Sequence, residues 1–276
     1  MQTIQTDCTS QDRVKVVALG GLGEIGLNMM AVECGEDIII IDAGLMFPED
    51  DMLGIDIVIP DFTYLRQNQQ RLRALIVTHG HEDHIGAIPF FLKEFNIPLY
   101  GTSLTLALIR EKLKEHGIMD RSRLVQVTAR ESMSIGPFTI EFIQTCHSIP
   151  DSVGLAIRTP IGILIHSGDF KIDHTPIDGK KLDMAKFGAY GEEGVLALFS
   201  DSTNVEREGY TLSEKDVGVT LKQIFQERSG RIIVAVFASN LHRIQQVVRL
   251  AREFGRKVLL NGKSMLINIR IARELG

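Results

Sequence analysis

At 276 residues, with 44% hydrophobic and 24% charged side chains, the chain can bury one large or two medium cores, and disordered or collagen-like structure is excluded. No apolar run approaches the roughly 20 residues of a membrane span, and Met1–Arg13 has no apolar stretch after a basic cluster, so neither membrane partners nor secretion are expected. The net charge of −5 argues mildly against a surface coated in nucleic acid, yet leaves room for a local basic channel.

From the N-terminus, Val14–Leu19 is a predicted strand ending in the turn Gly20-Gly21-Leu22-Gly23. Asn28–Cys34 and Asp37–Ile41 follow as two strands around Gly35-Glu36-Asp37. Ala74–Val77 is a predicted buried strand running into Thr78-His79-Gly80-His81. Ile85–Phe95 and Leu104–His116 have helical apolar spacing. Strands are expected at Leu124–Val127, Phe138–Thr145, Leu155–Thr159 and Gly162–His166, and a buried one at Val195–Phe199. After about residue 212 a regular alternation begins: helix Ser213–Arg228, strand Arg231–Phe237, helix Asn240–Phe254, strand Lys257–Leu260, helix Ser264–Leu275. That alternation is the signature of a parallel α/β unit and places a domain boundary near Leu212. Cys8, Cys34 and Cys146 are odd in number and widely spaced, which fits a reducing cytoplasm and not a disulfide framework.

The chemistry is concentrated in Thr78-His79-Gly80-His81-Glu82-Asp83-His84. Four metal-ligand side chains fall within six residues, between a predicted strand and a helix. Imidazoles two residues apart on an extended turn can converge on one ion, while Asp83 and His84 can face a second. A solvated polar turn with incidental histidines would not need such density. Cys146-His147 and Ser167-Gly168-Asp169 each place a further ligand type just after a strand. Singly, either is more readily a hydrogen-bonded structural residue.

In serial order, Asp42, the histidine cluster, His147 and Asp169 resemble the motif pattern of the metallo-β-lactamase fold. LGGLGEIGLN (19–28), DAGLMFPEDDMLGID (42–56), HSIPDS (147–152), SDSTN (200–204) and FASNLHRIQQ (237–246) resemble more narrowly the ribonuclease J group of β-CASP nucleases. The resemblance implies a four-layer αββα metallo-β-lactamase fold (1–212) followed by a partial α/β β-CASP domain (213–276). It implies that His79, His81 and His147 hold one metal and that Asp83 and His84 hold another. Asp169 would bridge the two, and Asp42 would orient ligands by hydrogen bond. Asp83 is also a candidate general base, and Asp83, His84 and Asp169 are the expected catalytic set.

The implied activity is hydrolysis of RNA phosphodiester bonds by a metal-bridging hydroxide, in 5′-exonuclease or endonuclease mode. Zn2+ is the expected cofactor, with Mn2+ or Mg2+ as alternatives. Single-stranded RNA is the expected partner, with a homodimer or homotetramer and RNA-decay complex partners for the full-length protein. The group supplies one more histidine to the second metal after the β-CASP insertion. That site is therefore expected to be incomplete in this chain, read as an N-terminal portion, and the fragment to be weakly active or inactive. Other hydrolases or DNA nucleases on the same scaffold, and a non-catalytic RNA-binding fragment, remain the alternatives.

Four further patterns have competing readings. Gly21-Leu22-Gly23-Glu24-Ile25-Gly26 matches a dinucleotide fingerprint, but that fingerprint requires a helix next and a strand is expected here. Gly262-Lys263-Ser264 resembles the end of a P-loop whose first glycine is replaced by Lys257. Cys146 is read as a small buried side chain rather than a thiol nucleophile. Ser239 and Asn240 precede a helix; they are either an ordinary cap or, as the resemblance suggests, a grip on an RNA 5′-phosphate. His116, His174 and His242 have no evident partners and are expected on the surface or in packing.

Overall fold

The computed structural model describes residues 13–276; Cys8 and the N-terminal stretch 1–12 lie outside the described residues. Two mixed sheets stack face to face. The first has the order β1 (Val14–Gly20), β2 (Met29–Cys34), β3 (Asp37–Ile41), β4 (Leu72–Ile76), β5 (Leu99–Gly101), β6 (Leu124–Gln126). β1 to β3 pair antiparallel and β3 to β6 parallel. The second runs β11 (Val195–Phe199), β10 (Gly162–His166), β9 (Val153–Thr159), β8 (Phe138–Gln144), β7 (Ser132–Ile135).

Strand alternation explains the layering. Ile39 and Ile41 face the second sheet and pack with Phe138, Phe142, Leu155 and Leu164. Ile38 and Ile40 face the other way, toward α3 (Ile88–Glu94) and α4 (Ser103–Glu115), joining Phe91, Leu106, Ile109 and Leu113. β3 reads as an unbroken apolar run because both of its faces are covered. Beyond the second sheet, Ile143, Ala156, Ile163 and Ile165 pack on Phe187 and Tyr190 of α5 (Met184–Glu193). The result is the expected helix–sheet–sheet–helix sandwich.

Three expectations are corrected. The helix expected over Ile85–Phe95 is two, α2 (Glu82–Ile85) and α3, because Ala87 donates its N–H to Ala43 O (2.9 Å) and Pro89 opens a fresh first turn. Val195–Phe199 is an edge strand and not a buried one: β11 pairs only with β10, leaving Leu196 and Leu198 exposed. Arg231–Phe237 and Lys257–Leu260 form no strand among the described residues. A strand exists only as part of a ladder, and neither segment finds a partner there; Ile233, Phe237 and Leu259 are left exposed.

The three expected helices of this last part are present: α6 (Glu214–Glu227), α7 (Leu241–Glu253) and α8 (Lys263–Leu275). Ser213 and Asp216 cap α6 reciprocally as a capping box. α6 and α7 share a small core of Phe225, Leu250 and Ala251. α8 is anchored on α4 by Lys263–Glu115 and Arg270–Glu111 ion pairs and by Ile271. Gly262-Lys263-Ser264 is therefore a helix start whose lysine is engaged by Glu115, not a phosphate loop. The glycine-rich turn at 21–26 leads into β2, as expected, and not into a helix.

One close approach ties the fold to the histidine turn. The segment after β3 runs alongside α2: Ala43 N donates to His84 O (2.9 Å), Leu45 N to Glu82 O (3.1 Å), and Asn28 N to Asp83 O (3.1 Å). A Cβ at Gly44 would lie 1.6 Å from Asp83 O. Gly44→Ala must therefore push the Asp83–His84 backbone away. We expect it to destabilise the chain by about 1–3 kcal/mol, the usual range for overpacking, and to lower metal retention with it. Thermal unfolding and metal content of the variant check this; wild-type values for both would show that the backbone there yields freely.

Candidate metal centre

The turn that carries the histidines is built at the carboxyl ends of parallel neighbours. β3 is followed directly by Asp42, whose N–H donates to Ile76 O (2.9 Å) on β4. Asp42 takes a left-handed backbone conformation (φ 59°), a strained choice for a residue with a Cβ. That turn aims its buried carboxylate across at the end of β4. Thr78 N and Thr78 Oγ1 donate to it at 2.8 Å each, and His84 Nδ1 lies 2.7 Å from Oδ2. All three donors come from the histidine turn.

His147 and Asp169 arrive from the second sheet, on the loops following β8 and β10. Val153 N donates to Thr78 O (3.0 Å), tying the start of β9 to the same turn. Gly168, at φ 58°, lies against β9: a Cβ there would meet Val153 O at 2.7 Å. The fold thus delivers ligand-type side chains from both sheets to one point.

One ligand atom each from His79, His81, His147 and Asp169 fall within 4.8 Å of one another; Asp83, His84 and Asp169 form a second such group sharing Asp169. His81 Nδ1 lies 3.1 Å from both His79 Nε2 and His147 Nε2. Asp169 Oδ2 is 3.8 Å from His79 Nε2 and 3.6 Å from His147 Nε2. A tetrahedral ion about 2.0–2.1 Å from each donor separates the donors by about 3.3–3.4 Å, so this set fits zinc-like coordination. In the second group His84 Nε2 is 3.6 Å from Asp83 Oδ2 and 3.3 Å from Asp169 Oδ1. The two oxygens of Asp169 thus face different groups.

The non-converging ring nitrogens have partners that set tautomers. His84 Nδ1–H donates to Asp42, which leaves Nε2 free to ligate. His79 Nδ1 is 3.1 Å from Thr78 Oγ1, and His81 Nε2 is 3.3 Å from Ser148 Oγ. Burial and the neighbouring imidazoles depress His79 well below the usual histidine range and His81 to about 3. Burial also lowers His147. His84 goes the other way: burial opposes its charge, but Asp42 and Asp169 outweigh burial and raise it well above 6.5. Burial raises Asp83, whereas Asp169, despite burial, is held at about 2 by His84, His147 and His81.

A groove of about 720 Å³ opens over the second group, between the 20–26 glycine turn and the 199–207 loop. A smaller cavity of about 300 Å³ lies on the His147 side, bounded by Thr102, Thr145, Asp178 and His242. Several residues with a part in this site were not singled out by sequence reasoning. Asn28 Nδ2 sits 3.3 Å from Asp83 Oδ2 and 3.1 Å from His84 Nε2. His166 lines the groove, its Nδ1 accepting from Gly168 N (3.1 Å). Asp201, in the 200–204 segment, accepts from Phe170 N (3.4 Å) beside Asp169. The only sequence signal of Asn28 and Asp201 was membership of the quoted segments, and that of His166 its place at the end of a predicted strand; neither says which residue turns inward.

Asn240 caps α7, its Oδ1 accepting from Arg243 N (3.0 Å), so the ordinary capping role is real for that residue. Among the described residues the Ser239 hydroxyl makes no hydrogen bond, and its carbonyl accepts from Leu241 N. His242 is not a partnerless surface residue: it is buried, with Nε2 3.3 Å from Asp178 Oδ2. His174 is exposed and His116 packs edge-on against Phe90, both as expected. Cys146 is buried, which pushes its thiol up to about 11 and leaves no thiolate to attack.

The sequence matches the Metallo-beta-lactamase superfamily over residues 22–208 and Ribonuclease J, beta-CASP domain over residues 229–276. It is 50% identical over 270 residues to a Ribonuclease J from Synechocystis sp., covering 97% of this chain and 42% of that protein. It is 48% identical over 268 residues to a Ribonuclease J from Helicobacter pylori (strain J99), covering 97% and 39%. The chain thus spans roughly two fifths of the length of these curated relatives. A protein of unknown function from Enterococcus faecalis V583 shares the fold, with a TM-score of 0.66 at 16% identity, covering 92% of this chain and 67% of that one. With two stacked sheets and donors gathered at their strand ends, the chain belongs to the metallo-β-lactamase superfamily.

Proposed function

We propose that this chain is the metal-binding part of a ribonuclease that hydrolyses RNA phosphodiester bonds. The observation that carries the reading is the pair of donor groups sharing Asp169 beneath an open groove, in a chain similar to ribonuclease J along 97% of its length. His79, His81 and His147 would hold zinc, with Asp169 completing the set. Asp83, His84 and Asp169 offer two carboxylates and one imidazole, a harder set that also suits Mn2+ or Mg2+. When bound, paired cations supply a nucleophile at neutral pH and neutralise charge on the phosphate oxygens.

The chain's own residues do the rest. Asp42 and Thr78 keep His84 and His79 in the ligating tautomer. Asn28 steadies the Asp83 carboxylate, whose burial-raised proton affinity suits it to take a proton from the attacking water. The groove between the glycine turn and the 199–207 loop is the path for the strand. Ser239, whose hydroxyl makes no hydrogen bond among the described residues, would take a terminal phosphate at the start of α7. Asn240 serves chiefly as the cap.

Three outcomes test this reading. The two metal groups should differ in their response to pH. Burial lowers the proton affinity of all three imidazoles of the first group, so its affinity should depend on pH less steeply between about pH 6 and 8 than that of the second. His84 must lose a proton first, so binding at the second group should strengthen by up to about tenfold per pH unit until that proton is gone. Calorimetric zinc titrations in buffers of different ionisation enthalpy count the protons released; two equivalents with the same pH slope contradict the assignment.

In the full-length protein, Asp83→Ala combined with His84→Ala should reduce RNA hydrolysis by about several powers of ten while the fold is retained, because loss of metal-borne charge stabilisation removes several kcal/mol. Near wild-type cleavage by a folded variant lacking the second metal would sink the mechanism.

Ser239→Ala should weaken processing of 5′-monophosphorylated RNA by roughly 10- to 150-fold, the worth of one hydrogen bond to a charged group, and spare internal cleavage. Equal losses on both substrates, together with a lowered melting temperature, would make Ser239 a structural residue only.

A further inference from the structure

The loop that leaves Asp169 does not end at the candidate metal centre. Two residues on, Lys171 donates its backbone N–H to Cys146 O (2.7 Å), beside His147. Its ammonium reaches Glu214 Oε1 at 3.0 Å and Asp173 Oδ2 at 3.4 Å. Asp173, 5% exposed, accepts from Glu214 N (3.0 Å), Thr175 N (2.9 Å) and Ser213 Oγ (2.8 Å). Glu214, 8% exposed, also takes Arg243 Nη2 at 3.1 Å and Gln246 Nε2 at 3.1 Å. Arg243 and Gln246 lie one turn apart on one face of α7, and Gly218 of α6 leaves the space: a Cβ there would fall 2.6 Å from Gln246 Oε1.

Two cations and two carboxylates are balanced in this largely buried cluster. Such a cluster adds little stability compared with apolar packing, but removing one member leaves an uncompensated charge. What it does supply is register, since hydrogen-bonded ions tolerate little sliding. Here the register is between the Asp169–Lys171 loop, which carries a candidate metal ligand, and the first turns of α7, which follow Ser239 and Asn240. The cluster is absorbed by neither the metal site nor a hydrophobic core.

We propose that Glu214 is a positioning residue: it fixes the start of α7 against the Asp169 loop, and so sets the distance between the metal centre and the segment that receives the RNA end. The coupling itself stands on the ion network; its consequence for RNA rests on the ribonuclease reading.

The test uses the intact full-length protein carrying Glu214→Gln, which keeps the shape and removes the charge, and Glu214→Asp, which keeps the charge. Metal content, hydrogen exchange across residues 239–250, and kcat and KM on 5′-monophosphorylated single-stranded RNA are measured together. In Glu214→Gln, metal content should equal wild type. Exchange at the start of α7 should accelerate, and KM should rise on the order of tenfold with kcat within about twofold, as expected for losing one charged hydrogen bond that acts on binding. Glu214→Asp should recover most of both changes. The proposal is overturned if exchange at 239–250 is unchanged in Glu214→Gln, if exchange rises uniformly with a lowered melting temperature, or if metal is lost along with binding. Should the wild-type protein fail to cleave RNA, the ribonuclease reading falls, and the exchange pattern with its recovery in Glu214→Asp still decides whether Glu214 positions α7.

Discussion

The buried carboxylate of Asp42 is the constraint on which the candidate site depends. An ionised carboxylate removed from water costs several kcal/mol unless hydrogen bonds replace the lost solvation. Thr78 N, Thr78 Oγ1 and His84 Nδ1 supply that replacement, and each does a second job. Binding Thr78 halts β4 at the right place; binding His84 leaves the other ring nitrogen facing Asp83 and Asp169. The left-handed backbone at Asp42 is tolerated because this triad of hydrogen bonds over-determines it. Strain at one residue orients two ligands.

Around that point the sandwich works as a gathering device. Parallel pairing of β3, β4 and β5 brings strand ends with loops to one edge, where Asp42 and the histidine turn emerge. The second sheet presents the ends of β8 and β10 at the same edge, adding His147 and Asp169. The apolar layer between the sheets, with Ile39, Ile41 and Ile76 against Phe138, Phe142 and Leu164, holds the two edges in register. Crowding four imidazoles beside three carboxylates splits their proton affinities, and the split follows position. Burial, reinforced by neighbouring imidazoles, lowers His79 and His81, whereas Asp42 and Asp169 outweigh burial and raise His84.

The last quarter of the chain is held by different forces. α8 leans on α4 through ion pairs and Ile271, and α6 and α7 share a small core. Lys171, Asp173, Glu214 and Arg243 join this part to the metal-binding part through charge, beside the apolar contacts that Leu241, Ile244 and Ile271 make with the main core. Directional contacts of that kind favour one orientation.

Much of this was legible in the residues. Two-residue spacing in His79-Gly80-His81, the adjacent Asp83-His84, and a histidine or aspartate just after a strand are local facts, and local periodicity located most of the strands and helices. Asp37–Ile41 was legible as a strand, while the covering of both its faces emerged only from the fold. Other features were not local. Whether 231–237 and 257–260 are strands depends on a neighbour to pair with, which periodicity does not report. The exposure of β11 follows from its place at the sheet edge, and the break at Gly86–Ala87 from a hydrogen bond to Ala43. Asn28, His166 and Asp201 are ordinary residue types until the chain folds them against the ligands. His242 could not be assigned a partner because Asp178 lies 64 residues away in sequence and meets it only across the packed domains. The candidate ligand types are a matter of side-chain chemistry and, at residues 79–84, of short spacing, so the sequence by itself determined them. Orientation, proton affinity and the coupling of Glu214 to the Asp169 loop are properties of distances between segments far apart in the chain, and only the tertiary structure decided them.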